Sequence, residues 1–129
     1  KVAIAAQLDA TNISMIAKNK RGKATDNLKK CKTLQVNFNI SKNVTASNGM
    51  RTIYVRVTTP TGTVLSQGGT FSYENKNLQY SMKKTIEYTG NETPVTVYWN
   101  VNEFLSNGSY NVSIFADGNM IGSKNFSFK

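Results

Sequence analysis

The sequence predicts an all-β domain, built as an antiparallel sandwich of eight or nine short strands. Apolar and polar residues alternate through several stretches, and turn-forming residues recur between them about every 8–12 residues. No stretch keeps a helical period over three turns. The length of 129 residues fits one domain, so we predict a single domain over 1–129.

The first quarter of the chain is the part with the weakest pattern. Residues 1–10 alternate as a strand would, but their small residues are equally typical of the end of a helical stalk that enters from upstream. We expect a strand over about 11–18. Residues 18–32 have no apolar period and are broken by Gly22, which predicts a solvated, mobile loop with nothing to bury.

From Thr33 onward the alternation is clear. The strands that contain Leu34 and Ile53 each place every second residue on one face. Further strands are predicted at 63–66, 69–74, 78–81, 84–89, 94–101, 110–116 and 120–128, with one helical turn at 103–106 and a β-bulge at Gly122. The side chains expected in one core are Leu34, Val36, Phe38, Ile53, Val55, Val57, Val97, Trp99, Tyr110, Val112 and Ile114.

The composition argues against catalysis. Histidine is absent, which removes the commonest general base and the commonest metal ligand. The 7 acidic residues are scattered, and neither a phosphate-binding glycine motif nor a calcium-loop pattern is present. We therefore expect a protein that is not an enzyme, with no catalytic residue, metal site or cofactor.

The positive charge is concentrated in residues 18–32. The net charge is +9, from 16 Lys and Arg against 7 Asp and Glu. Solvated charge is the simple explanation of this segment, and polyanion binding is the functional one. No aromatic residue interleaves with the cations, which argues against nucleic acid as the partner. The candidate polyanion contacts are Lys18, Lys20, Arg21, Lys23, Lys29, Lys30 and Lys32.

Three outward-facing residues are candidates for a surface patch. Tyr54 and Tyr98 face away from the core side of their strands, so they would form an aromatic patch beside Arg56 if the two strands were neighbours. Such a patch could bind sugar or protein. Trp99 alternates with core residues and is expected to be buried. Its exposure would favour carbohydrate binding, and its burial would count against that alternative.

Cys31 is the only cysteine, so the chain forms no internal disulfide. Its lysine neighbours would favour the thiolate, whereas the simpler interpretation, which we prefer, is an incidental thiol near the start of a strand. No run of 18 apolar residues is present, so we expect no membrane-spanning segment.

The octapeptide LSNGSYNV at residues 105–112 resembles the tyrosine corner of immunoglobulin-like sandwiches. In that motif a tyrosine hydroxyl bonds back to the chain just upstream. The resemblance implies an immunoglobulin-like fold and a structural role for Tyr110. The Cys…Trp…Cys arrangement of antibody domains is absent, which excludes that branch.

Four segments in order resemble uncharacterised bacterial envelope proteins of the Bacteroidetes kind: KTLQVNFNIS, RTIYVRVTTPTGTVL, TIEYTG and GSYNVSIFADGNMIGSKNFSFK. This resemblance implies a lipoprotein or exported protein with a coiled coil ahead of the domain. It also implies a place in the periplasm or on the cell surface, with any oligomerisation through the upstream segment. The cytoplasm stays open as an alternative.

We therefore expect a non-catalytic structural or interaction module of a bacterial cell-envelope protein. Its partner would be a protein or an anionic envelope polymer. The alternatives are a polyanion- or nucleic-acid-binding module that uses residues 18–32, and a carbohydrate-binding module that uses exposed tyrosines.

Overall fold

The computed structural model of the protein describes residues 8–43, 46–65 and 69–128. Within them the chain forms nine β-strands and one short 3-10 turn at Leu28–Lys30. The strands are β1 (Ala10–Lys18), β2 (Thr33–Ile40), β3 (Gly49–Thr58), β4 (Gly69–Tyr73), β5 (Lys76–Tyr80), β6 (Met82–Tyr88), β7 (Thr93–Asn100), β8 (Gly108–Ala116) and β9 (Asn119–Phe128).

Two antiparallel sheets form the body of the domain. Sheet A has the order β1-β2-β7 and sheet B the order β6-β3-β8-β9. Strand β1 contacts β9 and β6 contacts β7, so the edges of the two sheets lie over each other. The prediction of an all-β antiparallel sandwich is confirmed.

The core lies between the two sheets and is built from the alternating residues. Leu34 pairs with Trp99 across β2 and β7, and Val55 pairs with Ile114 across β3 and β8. All four side chains are completely buried. The other residues expected in the core are buried too: Val36, Phe38, Ile53, Val57, Val97, Tyr110 and Val112.

A separate two-stranded sheet, β4–β5, covers the outer face of sheet B; we call residues 69–80 the aromatic hairpin. Its turn residues Glu74 and Asn75 both have positive φ angles, of 48° and 64°. Two positive φ angles are what a tight two-residue hairpin turn requires. Phe71 of this hairpin stacks on Tyr54, with ring centroids 4.6 Å apart, and packs at 4.9 Å from Phe115. The hairpin thus gives the outer face of sheet B an aromatic core of its own.

Some local predictions are wrong. Residues 103–106 form no helical turn, and residues 63–65 contribute only one isolated bridge, between Thr58 and Val64, instead of a strand. Ser81 links β3 to residues 63–65. Its hydroxyl accepts from the Val57 N–H at 3.0 Å and donates to the Leu65 carbonyl. The bulge expected at Gly122 is present, because the register shifts between Ile114, which pairs with Gly122, and Phe115.

The proposed stalk at 1–10 lies largely outside the described residues. Where the description starts, Leu8 is buried and strand β1 follows from Ala10. Among the helices of the described residues, none has the length and apolar character needed to cross a membrane.

Candidate anion-binding site

The tip of the basic loop, residues 18–32, is a turn held by one asparagine. The Asn19 side-chain oxygen accepts hydrogen bonds from the backbone N–H groups of Arg21 at 2.9 Å and Lys23 at 3.1 Å. Gly22, with φ of 79°, closes the turn through an N–H bond to the Asn19 carbonyl. An Asx turn of this kind fixes the backbone locally, so Lys20 and Arg21 extend from a defined position.

The second half of the loop is anchored in the core. Leu28 and Cys31 are only 3% and 4% exposed. Between them the 3-10 turn is capped by Asn27, whose side chain accepts from the Lys29 N–H at 3.0 Å. The expectation that this segment has nothing to bury is therefore wrong, because two isolated apolar residues suffice to attach it to the core.

Backbone hydrogen bonds then tie Lys32 to both sides of sheet A. Its N–H donates to the Lys18 carbonyl at 2.7 Å, and its carbonyl accepts from the Val101 N–H at 2.9 Å. Lys32 therefore joins the end of β1 to the end of β7. The basic loop is held at both of its ends and in its middle.

These attachments bring four of the seven candidate cations together. A cleft of about 490 Å³ is lined by Asn19, Lys20, Arg21, Lys30 and Lys32, and we call these five residues the basic cleft. The other candidate cations, Lys18, Lys23 and Lys29, belong to the same loop but do not line the cleft.

The four cations of the basic cleft make no ion pair with any carboxylate in the described parts of the chain. Among the described residues the one ion pair joins Arg51 to Asp117 at 2.9 Å, in another part of the domain. Asp26 is the only acid of the loop and makes no ion pair with these cations. Exposed charges of one sign around a concave surface concentrate their field there. The basic cleft is thus electrostatically suited to an anion.

Cys31 is not the activated thiol that its neighbours in the sequence suggested. Burial raises the pKa of the Cys31 thiol above its ordinary value. The thiol donates to the Thr33 carbonyl at 3.4 Å. Cys31 therefore acts as a buried anchor of the basic loop.

The predicted patch of Tyr54, Arg56 and Tyr98 does not form. Tyr54 and Arg56 lie on β3 in sheet B, whereas Tyr98 lies on β7 in sheet A. The aromatic hairpin covers Tyr54, and the Arg56 guanidinium donates to the Gln79 carbonyl of the hairpin at 2.8 Å. Trp99 is completely buried, as expected, and this burial removes it as a ring on which a sugar could stack. Alternation correctly gave the faces of these residues, but it does not reveal which strands share a sheet.

The structure reveals a second cleft that the sequence pattern did not predict, at the open edge between β6 and β7. Its volume is about 450 Å³, and Lys84 crosses it to donate to the Thr96 carbonyl at 3.3 Å. Tyr98 is 60% exposed here. The only signal in the sequence was the pair of consecutive lysines where β6 departs from strict alternation. We call this cleft the edge groove; its lining is Tyr80, Ser81, Met82, Lys83, Lys84, Thr96, Val97 and Tyr98.

Tyr110 has the structural role that the corner motif implied. Its hydroxyl donates to the Ser106 carbonyl at 2.6 Å. Gly108 precedes it with φ of 139°, and a Cβ at that position would lie 2.8 Å from Pro60. The corner therefore requires glycine both for its backbone angle and for the close approach of the 59–62 turn.

No group of three or more metal-ligating side chains occurs within the parts of the chain that the structure describes. The basic cleft contains only cationic and amide side chains. Its donors suit an anion rather than a metal ion.

Comparison with known proteins identifies a family and a fold. A family model described as a domain of unknown function (DUF8428) matches residues 11–129. No curated protein matches the sequence significantly.

Solved structures share the fold at low identity. One is Pseudomonas fluorescens alkylpurine DNA glycosylase AlkC bound to DNA containing an abasic site analog, with a TM-score of 0.52 and 10% identity over 95% of this chain and 30% of that one. Another is a β-glucosidase from Kluyveromyces marxianus, with a TM-score of 0.53 and 11% identity over 96% of this chain and 14% of that one. The chain thus spans less than a third of either protein, and the likeness shows the fold alone.

Proposed function

The chain belongs to the DUF8428 family of domains of unknown function, and we propose that it is a non-catalytic interaction module that binds anionic polymers through the basic cleft. The observation that carries this proposal is the convergence of Lys20, Arg21, Lys30 and Lys32 on one cleft, with no carboxylate partner among the residues that the structure describes.

The attachment of the basic loop to the core favours anion binding by its cations over a role as solvated surface charge alone. A loop that serves only as a connection needs no fixed arrangement of its charges. Here the Asn19 turn and the buried Leu28 fix the backbone on both sides of the cleft. Cations held close together lose less freedom when they contact an anionic chain, and this favours affinity.

The absence of histidine and the scattered acids support a non-catalytic role. The resemblance to bacterial envelope proteins supports a place in the periplasm or on the cell surface. In such proteins a coiled-coil stalk would precede the domain in the chain and carry it. In that setting the partner is an anionic polymer of the envelope, and attraction to such polymers is dominated by charge.

A salt titration with linear polyphosphate as the probe tests this proposal. Binding of the wild-type domain should weaken steeply as salt rises, because counterions are released when lysines contact phosphates. Replacing Lys20, Arg21, Lys30 and Lys32 together by Gln gives what we call the cleft variant, which should lose most of the binding. The dependence of log K on log salt should also lose a slope of about 3–4, roughly one for each contact removed.

The control removes positive charge from elsewhere on the domain. Lys42, Lys76 and Lys124 are exposed and lie outside the basic loop and both clefts. Their joint replacement by Gln should leave most of the affinity and slope. Equal losses per removed charge in the two variants would mean that net charge alone attracts the polymer, and this would refute the basic cleft as a site.

A further inference from the structure

The exposed ring in the edge groove is Tyr98. The other tyrosine there, Tyr80, packs against Tyr54 with ring centroids 5.4 Å apart and has the Lys83 ammonium 5.6 Å from its ring centre. The Tyr98 side chain makes no ring contact or hydrogen bond with the described residues, and Tyr98 is 60% exposed. A tyrosine ring offers an apolar face with a polar tip, which suits the C–H face and hydroxyls of a sugar ring.

Both the basic cleft and the edge groove have a lining residue near the end of β7. Lys32 lines the basic cleft and accepts the Val101 N–H, three residues beyond Tyr98 in sequence. At about 3.3 Å per residue, this places the strand end roughly 10 Å from Tyr98. At the groove, Lys83 and Lys84 are both exposed and add positive charge. One extended anionic chain of a few units is long enough to contact both clefts.

On the sheet A side, the surface beside Tyr98 carries amide and hydroxyl groups. The cross-strand neighbour of Tyr98 is Gln35, and the next pair along the sheet is Asn37 and Thr96. Thr96 donates to the Asn37 side chain at 2.9 Å. On the other side of the groove lie the cations Lys83 and Lys84. Sugar hydroxyls would find hydrogen-bond partners on the first side, and acidic groups of the same chain would find opposite charge on the second.

Addition of a peptide strand at this edge is less well supported. The Lys84 ammonium already donates a hydrogen bond to the Thr96 carbonyl. An added strand would need that carbonyl as an acceptor for its backbone hydrogen bonds. Lysines on edge strands are also a common obstacle to strand pairing.

We propose that the ligand class is a linear acidic polysaccharide, which spans the basic cleft and the edge groove and stacks one sugar ring on Tyr98. This inference rests on the proposed function, because the charged units of the polymer are bound by the basic cleft. Tyr98 supplies the discrimination for sugar that the lysines lack.

The test compares three probes on the whole domain: heparin as an acidic polysaccharide, linear polyphosphate with no ring to stack, and single-stranded oligothymidylate. Tyr98→Ala should weaken heparin binding about tenfold, the scale of one lost stacking contact. Tyr98→Phe should restore most of it, and polyphosphate binding should not change. Met50→Ala is the control, because Met50 is 65% exposed on β3 and lines neither cleft.

The outcomes separate this inference from the proposed function. If the cleft variant loses polyphosphate binding but Tyr98→Ala leaves heparin binding unchanged, the basic cleft stands and the polysaccharide inference is refuted. If Tyr98→Ala weakens oligothymidylate as much as heparin, the ring stacks on bases and the ligand class is wrong. If the cleft variant binds polyphosphate as wild type does, the proposed function itself fails.

Discussion

The basic loop and the aromatic hairpin both lie outside the two main sheets, but different kinds of contact attach them to the domain. The hairpin is attached by its side chains: Phe71 stacks on Tyr54 and packs against Phe115, so its aromatic rings are buried in the fold. The basic loop is fixed mainly by its backbone and two small anchors, Leu28 and Cys31, which leaves its charged side chains exposed. The basic loop, whose cationic side chains remain exposed, is therefore a better candidate for binding than the hairpin, whose rings pack against sheet B.

The largest effect is expected from Phe115→Ala. Phe115 is 2% exposed and contacts both Phe71 and Tyr73 of the aromatic hairpin at 4.9 Å. Its truncation should lower the free energy of unfolding by about 3–5 kcal/mol, as for other buried phenylalanines. Chemical denaturation would measure this, and polyphosphate affinity of the folded variant should equal that of wild type. A loss of affinity at full folding would break the division between the two regions.

Leu28→Ala should affect both stability and binding. Leu28 is 3% exposed beneath the basic loop, so truncation should cost about 2–5 kcal/mol in the free energy of unfolding. Because the anchor positions Lys30, polyphosphate affinity should also fall although no charge is removed. Unchanged stability would show that the loop is not anchored in the core, contrary to the structure.

Tyr110→Phe should produce the smallest of these effects. The variant loses the 2.6 Å bond to the partly buried Ser106 carbonyl, and the net contribution of such a hydrogen bond is about 0.5–1.5 kcal/mol. The denaturation midpoint should fall while polyphosphate binding stays the same, because the corner lies outside the basic cleft. An unchanged midpoint would mean that the corner bond does not contribute to stability.

Strict alternation made the core predictable. Leu34, Val55 and Trp99 sit at every-second positions of strands with one buried face, and one face is all that such a pattern specifies. The pattern says nothing of what covers the other face. The stacking of Phe71 on Tyr54 depends on how a distant hairpin folds back over sheet B, so it could not be predicted from local sequence.

The candidate site was predictable only in part. The seven cations are visible as a cluster in the sequence, but their division into four that line the cleft and three that do not depends on the Asn19 turn and on Lys32 joining β1 to β7. The edge groove combines Lys84 of β6 with Tyr98 of β7 across two sheets. Contacts between sheets have no local signature in the chain.

Mapping of the backbone amide resonances that shift when polyphosphate is added to the wild-type domain tests the central claim most directly. The account predicts that the largest shifts occur at residues 19–23 and 28–32, around the basic cleft, and that they diminish as salt rises. Shifts of similar size at Lys42 and Lys76, which lie outside the basic cleft, would show that the polymer follows net charge alone and would contradict the account.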